Sequence, residues 1–254
     1  MNEVEYRGLV AETWDLLRGD TSGWADRPFY LARIHEFGEP ALDVGCGTGR
    51  LLLDYLAEGV DIDGVDVSAE MLDLCRAKAA GRGLAPTLYR QAVEELDLPR
   101  RYHTILVPSS TFQLLLEPPA AAQALARMRD HLLPGGVLVM PFMALWVAGE
   151  DLAVSEVTEA IRADGAMVRK TARSTFDPET RLADSDDLFE VIRDGEVIAS
   201  ERHVRARATR QYEPAEVFEM AAAAGLDVMR VVAGFTDAAW TPGDRIFTVL
   251  LGSR

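Results

Sequence analysis

Cysteine is almost missing from this chain of 254 residues, and the two present, Cys46 and Cys75, show neither a disulfide framework nor metal-ligand spacing. A reducing cytoplasm is the expected setting. Lysine occurs only at Lys78 and Lys170, and all other basic residues are arginine. Positive charge is scarce overall, with 26 Lys and Arg against 41 Asp and Glu and a net charge of -15. That balance opposes a polyanionic partner, so nucleic acid is not expected as a substrate. No apolar run reaches the length of a bilayer span, and residues 1–8 are acidic and mixed, so no membrane association is expected. Histidine is limited to four positions. His103 precedes a strand and His131 ends a helix, so both read as structural, and His35 reads as a surface residue. His203 is the histidine placed to overhang a pocket.

The length suits one large α/β domain, or one domain with an insertion. Leu9, Val10, Trp14 and Leu17 fall at helical spacing before a break at residues 19–23, and residues up to Phe37 read as helical. From Ala41 strands and helices alternate, which implies a parallel sheet with right-handed crossovers. The strands are expected at 41–44, 62–67, 87–91, 104–108 and 137–142. Ser68 is a candidate N-cap for a helix running to about Ala80. After Trp146 the pattern becomes polar and extended. Residues 166–211 hold three long runs broken at Asp177-Pro178-Glu179-Thr180 and at Asp194-Gly195, both turn chemistry. The expected fold is therefore a Rossmann-like, seven-stranded, mostly parallel sheet with an antiparallel last strand, flanked by helices and carrying an inserted three-stranded antiparallel sheet. The implied organisation is an N-terminal helical and cofactor-binding region at 1–145, an inserted β subdomain at 146–212, and completion of the core sheet at 213–254.

The most informative stretch is Leu42-Asp-Val-Gly-Cys-Gly-Thr-Gly-Arg50, an apolar strand entering a glycine-dense turn. The dinucleotide fingerprint G-x-G-x-x-G needs a third glycine where this chain has Arg50, and a nicotinamide oxidoreductase is disfavoured on that ground. Asp43 within the turn suits a cationic ligand better than a pyrophosphate. This run, with Gly64-Val65-Asp66-Val67-Ser68 and the Pro134-Gly135-Gly136 strand entry, resembles the class I S-adenosylmethionine-dependent methyltransferases. Tyr6 and the pair Trp14-Asp15 resemble that family's lid helix. The insertion after the fifth strand is similar to that of small-molecule N-methyltransferases, including those that dimethylate the amino group of deoxysugars.

In an open parallel sheet ligands lie beyond the carboxyl ends of the strands. Gly45, Cys46, Gly47 and Gly49 are expected to allow close approach of S-adenosylmethionine, with helix-start amides meeting its carboxylate. Asp66 is placed to accept from the ribose hydroxyls. Val67 and Met71 can cover one adenine face and Val93 the other. The resemblance implies an aspartate accepting from the adenine amino group, but this chain has Gln91, so Gln91 and Glu94 compete, with Ala92 between them. Pro108 completes the expected cofactor set, to which Tyr6 and Asp43 belong.

Methyl transfer by in-line displacement asks mainly for alignment and exclusion of water. A small-molecule acceptor is expected, amine ahead of hydroxyl, with no metal and no assigned catalytic residue. Ser109 and Ser110 can orient it, while Phe112, Phe142 and the mouth aromatics Trp14, Tyr30 and Trp146 can wall it, with His203 overhanging. The Asn/Asp-Pro-Pro-Tyr/Phe motif of DNA-adenine and protein-glutamine methylation is replaced here by Pro108-Ser-Ser-Thr-Phe112. The alternative function is a non-catalytic S-adenosylmethionine or S-adenosylhomocysteine sensor. Arg202, Arg205, Arg207 and Arg210 read as a solvated sheet face, with Arg205 and Arg207 on one side by alternation. The inserted sheet is equally open to use as a homodimer surface.

Overall fold

All four residues of the strand Ala41–Val44 are buried, as a strand covered on both faces requires. The computed structural model describes residues 6–253. In chain order the elements are α1 (Leu9–Arg18), α2 (Asp26–Phe37), β1 (Ala41–Val44), α3 (Leu52–Ala57), β2 (Ile62–Asp66), α4 (Ala69–Gly81), β3 (Leu88–Arg90), β4 (Tyr102–Leu106), α5 (Pro118–Asp130) and β5 (Leu132–Met143). There follow β6 (Ala153–Ile161), β7 (Met167–Asp177), β8 (Leu182–Arg193), β9 (Glu196–Arg210), α6 (Pro214–Ala223), β10 (Leu226–Ala233) and β11 (Ile246–Ser253). Residues up to Gly23 group with Leu145–Gln211 as one unit, and Trp24–Ala144 with Tyr212–Arg254 as a second.

The second unit is a seven-stranded sheet in the order β10-β11-β5-β4-β1-β2-β3. β1 runs parallel to β2 and β4, whereas β11 is antiparallel to both β5 and β10. The chain therefore winds outward from β1 to β3, then reverses to β4 on the other side. That reversal puts a crevice at the carboxyl ends of β1 and β4, where open α/β sheets hold ligands. One face of the sheet packs through Leu42, Ile105, Leu138 and Val249 with Leu125 and Met128 of α5 and Val217 of α6. The other buries Ile62 and Val139 with Ile34 of α2, Leu53 of α3 and Leu72 of α4. Ser68 caps α4 as expected, its hydroxyl accepting from Met71 N at 3.2 Å.

The first unit is built on a four-stranded antiparallel sheet, β6-β7-β8-β9. One strand more is present than the three expected. The additional strand, β6, pairs with β7 from Ala153 to Ile161 and is exposed along most of its length. An edge strand with no buried face has no period-two apolar signal, and its apolar residues, Val154, Val157 and Ile161 among them, do not alternate with polar ones. α1 belongs to this unit because Leu9 and Val10 bury against Val168, Phe189 and Val191. Its start is fixed by Glu201, which accepts from Leu9 N at 2.9 Å. The expected alternation of Arg205 and Arg207 does not hold. β9 bulges between residues opposite Ala183 and Ser185, and Arg207 takes φ 56, which breaks the period.

Candidate functional site

The glycine turn hangs from the end of β2. Gly45 N and Cys46 N both donate to Val65 O, at 2.8 and 3.1 Å, and Gly47 N donates to Asp66 Oδ2 at 2.8 Å. Gly49 N donates to Cys46 O at 2.9 Å, so four of the turn's amides are engaged internally. Asp66 also accepts from Ser68 N at 2.8 Å, which ties the turn, the end of β2 and the start of α4 through one side chain. Gly49 stands where no side chain fits: its φ is 83, and a Cβ there would lie 2.6 Å from Cys75 Sγ and 2.8 Å from Leu53 Cγ. A Cβ at Gly45 would lie 2.6 Å from Thr111 Cγ2, so the β1 and β4 turns are in direct contact across the switch point. Cys46 and Cys75 are free and buried, and burial pushes both thiols up.

Asp43 gives the turn its charge. It is 2% exposed, and its Oδ1 has no hydrogen-bond partner among the described residues. Burial raises its pKa to about 7, opposed by Arg50 and assisted by the neighbouring Asp66 and Asp26. Arg50 does not obstruct the turn. It forks onto Asp26 of α2, with Nη1 3.1 Å from Oδ1 and Nη2 2.5 Å from Oδ2, and lies 5.0 Å from the centroid of the Trp24 ring. The Arg50–Asp26 pair carries no spacing signal in the sequence, because its members lie twenty-four residues apart, one at the start of α2 and one in the turn before α3. Tyr30 joins the same buried polar group. Its hydroxyl has no hydrogen-bond partner among the described residues, and burial with Asp26, Tyr55 and Asp43 pushes its pKa upward. At 0% exposure, packed edge-on to Phe29 and Phe235, Tyr30 is a core residue and not part of a mouth.

At the third strand end Gln91 N donates to Asp66 O at 3.2 Å. The Gln91 side chain then bridges its own loop, Oε1 accepting from Asp97 N at 2.8 Å and Nε2 donating to Asp97 O at 3.1 Å. Its amide is thus held locally, while Ala92, Val93 and Glu94 are half-buried in and before a short 3-10 turn. Val67 is half-buried and Met71 buried at the first turn of α4.

At the fourth, Pro108 O accepts from Thr111 Oγ1 at 2.7 Å, and Ser109 takes φ 58, a left-handed backbone rarely adopted by a residue with a side chain. Ser109 and Ser110 are half-buried. Phe112 and Phe142 are not an acceptor wall. They form an aromatic cluster with Tyr212 and Phe247, ring centroids 5.0 to 5.8 Å apart, inside the core. The buried Gln113 had gone unnoticed: its amide exchanges two hydrogen bonds with the Met143 backbone, at 2.9 and 3.0 Å, and pins this loop to the end of β5.

The remaining candidates lie in the first unit. Tyr6 and Trp14 contact each other at 5.0 Å, with Arg205 5.9 Å from the Tyr6 ring centroid and Arg18 4.8 Å from that of Trp14. Trp146 stacks on Phe176. His203 lies 3.2 Å from Glu201 and edge-on to Phe189. His131, in the second unit, has both ring nitrogens engaged, Nε2 accepting from Leu98 N at 2.8 Å and Nδ1 2.7 Å from Arg127 O, which confirms a structural role. Among the described residues, no group of three His, Cys, Asp or Glu side chains is arranged to hold a metal ion, and no helix is long and apolar enough to cross a membrane.

Residues 41–136 match a family model described as a methyltransferase domain. The chain is 28% identical, over 188 residues covering 71% of each chain, to dTDP-3-amino-3,6-dideoxy-alpha-D-glucopyranose N,N-dimethyltransferase of Streptomyces fradiae. It is 31% identical, over 139 residues covering 52% of this chain and 56% of the relative, to ubiquinone biosynthesis O-methyltransferase of Pectobacterium atrosepticum. An S-adenosylmethionine-dependent methyltransferase from Clostridium acetobutylicum has the same fold, with a TM-score of 0.76 at 20% identity over 95% of this chain and 96% of that one. The matched methyltransferase domain, residues 41–136, spans the glycine turn, the Asp66 strand end and the Pro-Gly-Gly entry, and it is set in a sheet of the order seen here.

Proposed function

We propose that the acceptor is an amine nitrogen on a small, ring-bearing molecule. The reading is carried by the 28% identity, over 71% of both chains, to an enzyme named for dimethylating an amino sugar. The residues fit the cofactor on their own terms. The turn joins two carboxylates, Asp43 and Asp66, to amides already engaged within the protein, and Asp43 Oδ1 is buried without a partner. Such a site favours a cation over an anion. In this reading Asp43 draws the cofactor's ammonium and Asp66 accepts from the ribose hydroxyls with its remaining lone pairs. Half-buried Val67 and Val93 cover the adenine, and Glu94 rather than the tethered Gln91 accepts from its amino group. When bound, S-adenosylmethionine supplies a methyl group on a sulfonium, which a nucleophile displaces in line. Ser109 and Ser110, held at the left-handed turn after β4, orient the acceptor nitrogen. A neutral amine presents its lone pair without a base.

A hydroxyl acceptor is the second reading, favoured by the O-methyltransferase likeness over 52% of this chain. Mass spectrometry of products from matched amine and phenol panels decides between them. N-methylation with release of one S-adenosylhomocysteine per methyl is expected; methylation confined to phenols would overturn the amine assignment.

A further inference from the structure

The inserted sheet has two unlike faces. Alternation along the paired strands sends Val168, Phe189 and Val191 to one of them, where Leu9 and Val10 of α1 cover them. Residues of the opposite parity make the other face. There Val157, Ile161, Ile198 and Val204 are 53–67% exposed, and Met167, Leu188 and Ile192 are half-buried beside them. An antiparallel sheet that ends in water turns its apolar residues inward and its polar ones outward. This sheet carries apolar residues on both faces, and apolar surface gathered on an open face marks a contact surface.

Charge on the open face is sorted by strand. β7 presents Arg169 and Arg173, while β8 presents Glu190 directly across the ladder from the first and Asp186 directly across from the second. The edge strands hold two of these four. Arg169 Nε donates to Glu159 of β6 at 2.7 Å, and Asp186 accepts from Arg202 of β9 at 2.5 and 2.7 Å. Glu190 and Arg173 stand outside those pairs.

A positive strand beside a negative one complements itself under a single operation. A half-turn about an axis along the strands, midway between β7 and β8, lays β7 of a second copy over β8 of the first and β6 over β9. The cross-strand rows stay in step, so Arg169 meets Glu190 of the second copy and Arg173 meets its Asp186. Met167 meets Ile192, Thr171 meets Leu188, and Ile161 meets the β9 bulge at Val197. Each contact occurs twice, as a closed two-fold interface requires. A half-turn about the perpendicular axis in the same plane would set β7 on β7 and arginine on arginine, so charge selects the first arrangement. Four strands about 4.8 Å apart, each nine residues long at about 3.4 Å per residue, make a face of about 600 Å². Two copies then bury about 1,200 Å², the lower end of the range for specific interfaces.

We propose that the open face of the inserted sheet is a two-fold interface with a second copy of this chain. Its formation does not depend on which acceptor is methylated.

Sedimentation velocity on the full-length protein between about 1 and 100 µM is expected to show a monomer–dimer equilibrium with a Kd of about 10 µM. Val157→Lys and Ile161→Lys are exposed changes on this face and are each expected to weaken the dimer at least about tenfold. Val154→Lys, as exposed but on the opposite face of the same strand, is expected to leave it unchanged. Arg173→Glu and Asp186→Arg each set like charges across the two-fold and are expected to keep the protein monomeric. Mixed in equal amounts, the two variants are expected to dimerise with each other. In that pair the two changed residues face one another, and the native Asp186 of one chain still faces the native Arg173 of the other. Recovery in the mixture also shows that both variants fold. A monomer at every concentration, which would leave the face to a different partner, would overturn the proposal. So would a dimer indifferent to Val157→Lys and Ile161→Lys, dissociation by Val154→Lys, or folded charge variants that do not pair when mixed.

Discussion

The Asp66 carboxylate accepts the Gly47 amide at 2.8 Å and so fastens the middle of the glycine turn to the end of β2. A group proposed for the ribose is therefore also the clamp that shapes the turn around it. Asp66→Asn is expected to weaken S-adenosylmethionine binding by about a hundredfold, through a lost charge-assisted acceptor and a loosened turn together. Calorimetry reads the affinity, and unchanged near-ultraviolet dichroism shows that the fold survives.

Asp43 makes cofactor binding depend on pH. With its pKa raised to about 7 by burial, the carboxylate that draws an ammonium is largely protonated below neutrality. Binding is expected to tighten as pH rises through about 7 and to weaken up to about tenfold per unit below it. The same shift affects stability with the opposite trend. The folded state holds this proton more firmly than the unfolded chain does, so the contribution is fully present below the unfolded carboxyl pKa and is lost as pH rises through about 7. Asp43→Asn should flatten both profiles, measured by calorimetry and by thermal unfolding from pH 5 to 9.

Arg50→Met leaves Asp26 and Asp43 buried without their cation. The pair is nearly enclosed, with side-chain exposures of 12% and 6%, so the loss is expected to be about 3–5 kcal/mol. Adding Asp26→Asn should recover part of it, and denaturant unfolding of the single and double variants measures the coupling.

Gly49→Ala adds a Cβ 2.6 Å from Cys75 Sγ on a left-handed backbone, and is expected to cost about 2–4 kcal/mol from strain and overpacking together. Gly47→Ala meets no atom within 4 Å and should cost only the backbone term of about 1–2 kcal/mol. Cys75→Ala in the Gly49→Ala background should restore part of the difference in chemical denaturation.

The glycine turn, Asp66 and the Ser68 cap were legible in the sequence because each is local: a strand, a turn and a cap within a few residues. The Asp194-Gly195 turn between β8 and β9 was legible for the same reason, with both residues at positive φ. What escaped is nonlocal. An aromatic side chain such as Phe142 or Tyr30 reads alike whether it meets a ligand or other rings, and only packing tells the two apart. β6 escaped because main-chain pairing defines it, and the β9 bulge because its extra residues leave no mark in an already polar strand. Gln91 kept its place at the strand end yet turned its amide into its own loop, a choice fixed by Asp97 six residues later.

The most direct test of the central claim incubates purified protein with isotopically methyl-labelled S-adenosylmethionine and a panel of aminodeoxy glycosides, cyclic amines and phenols. Products are assigned by heteronuclear NMR. The label is predicted on nitrogen, with equal release of S-adenosylhomocysteine and a rate that falls with the Asp66→Asn variant's cofactor affinity. Label found solely on oxygen, or S-adenosylhomocysteine released equally with and without any amine, would contradict it.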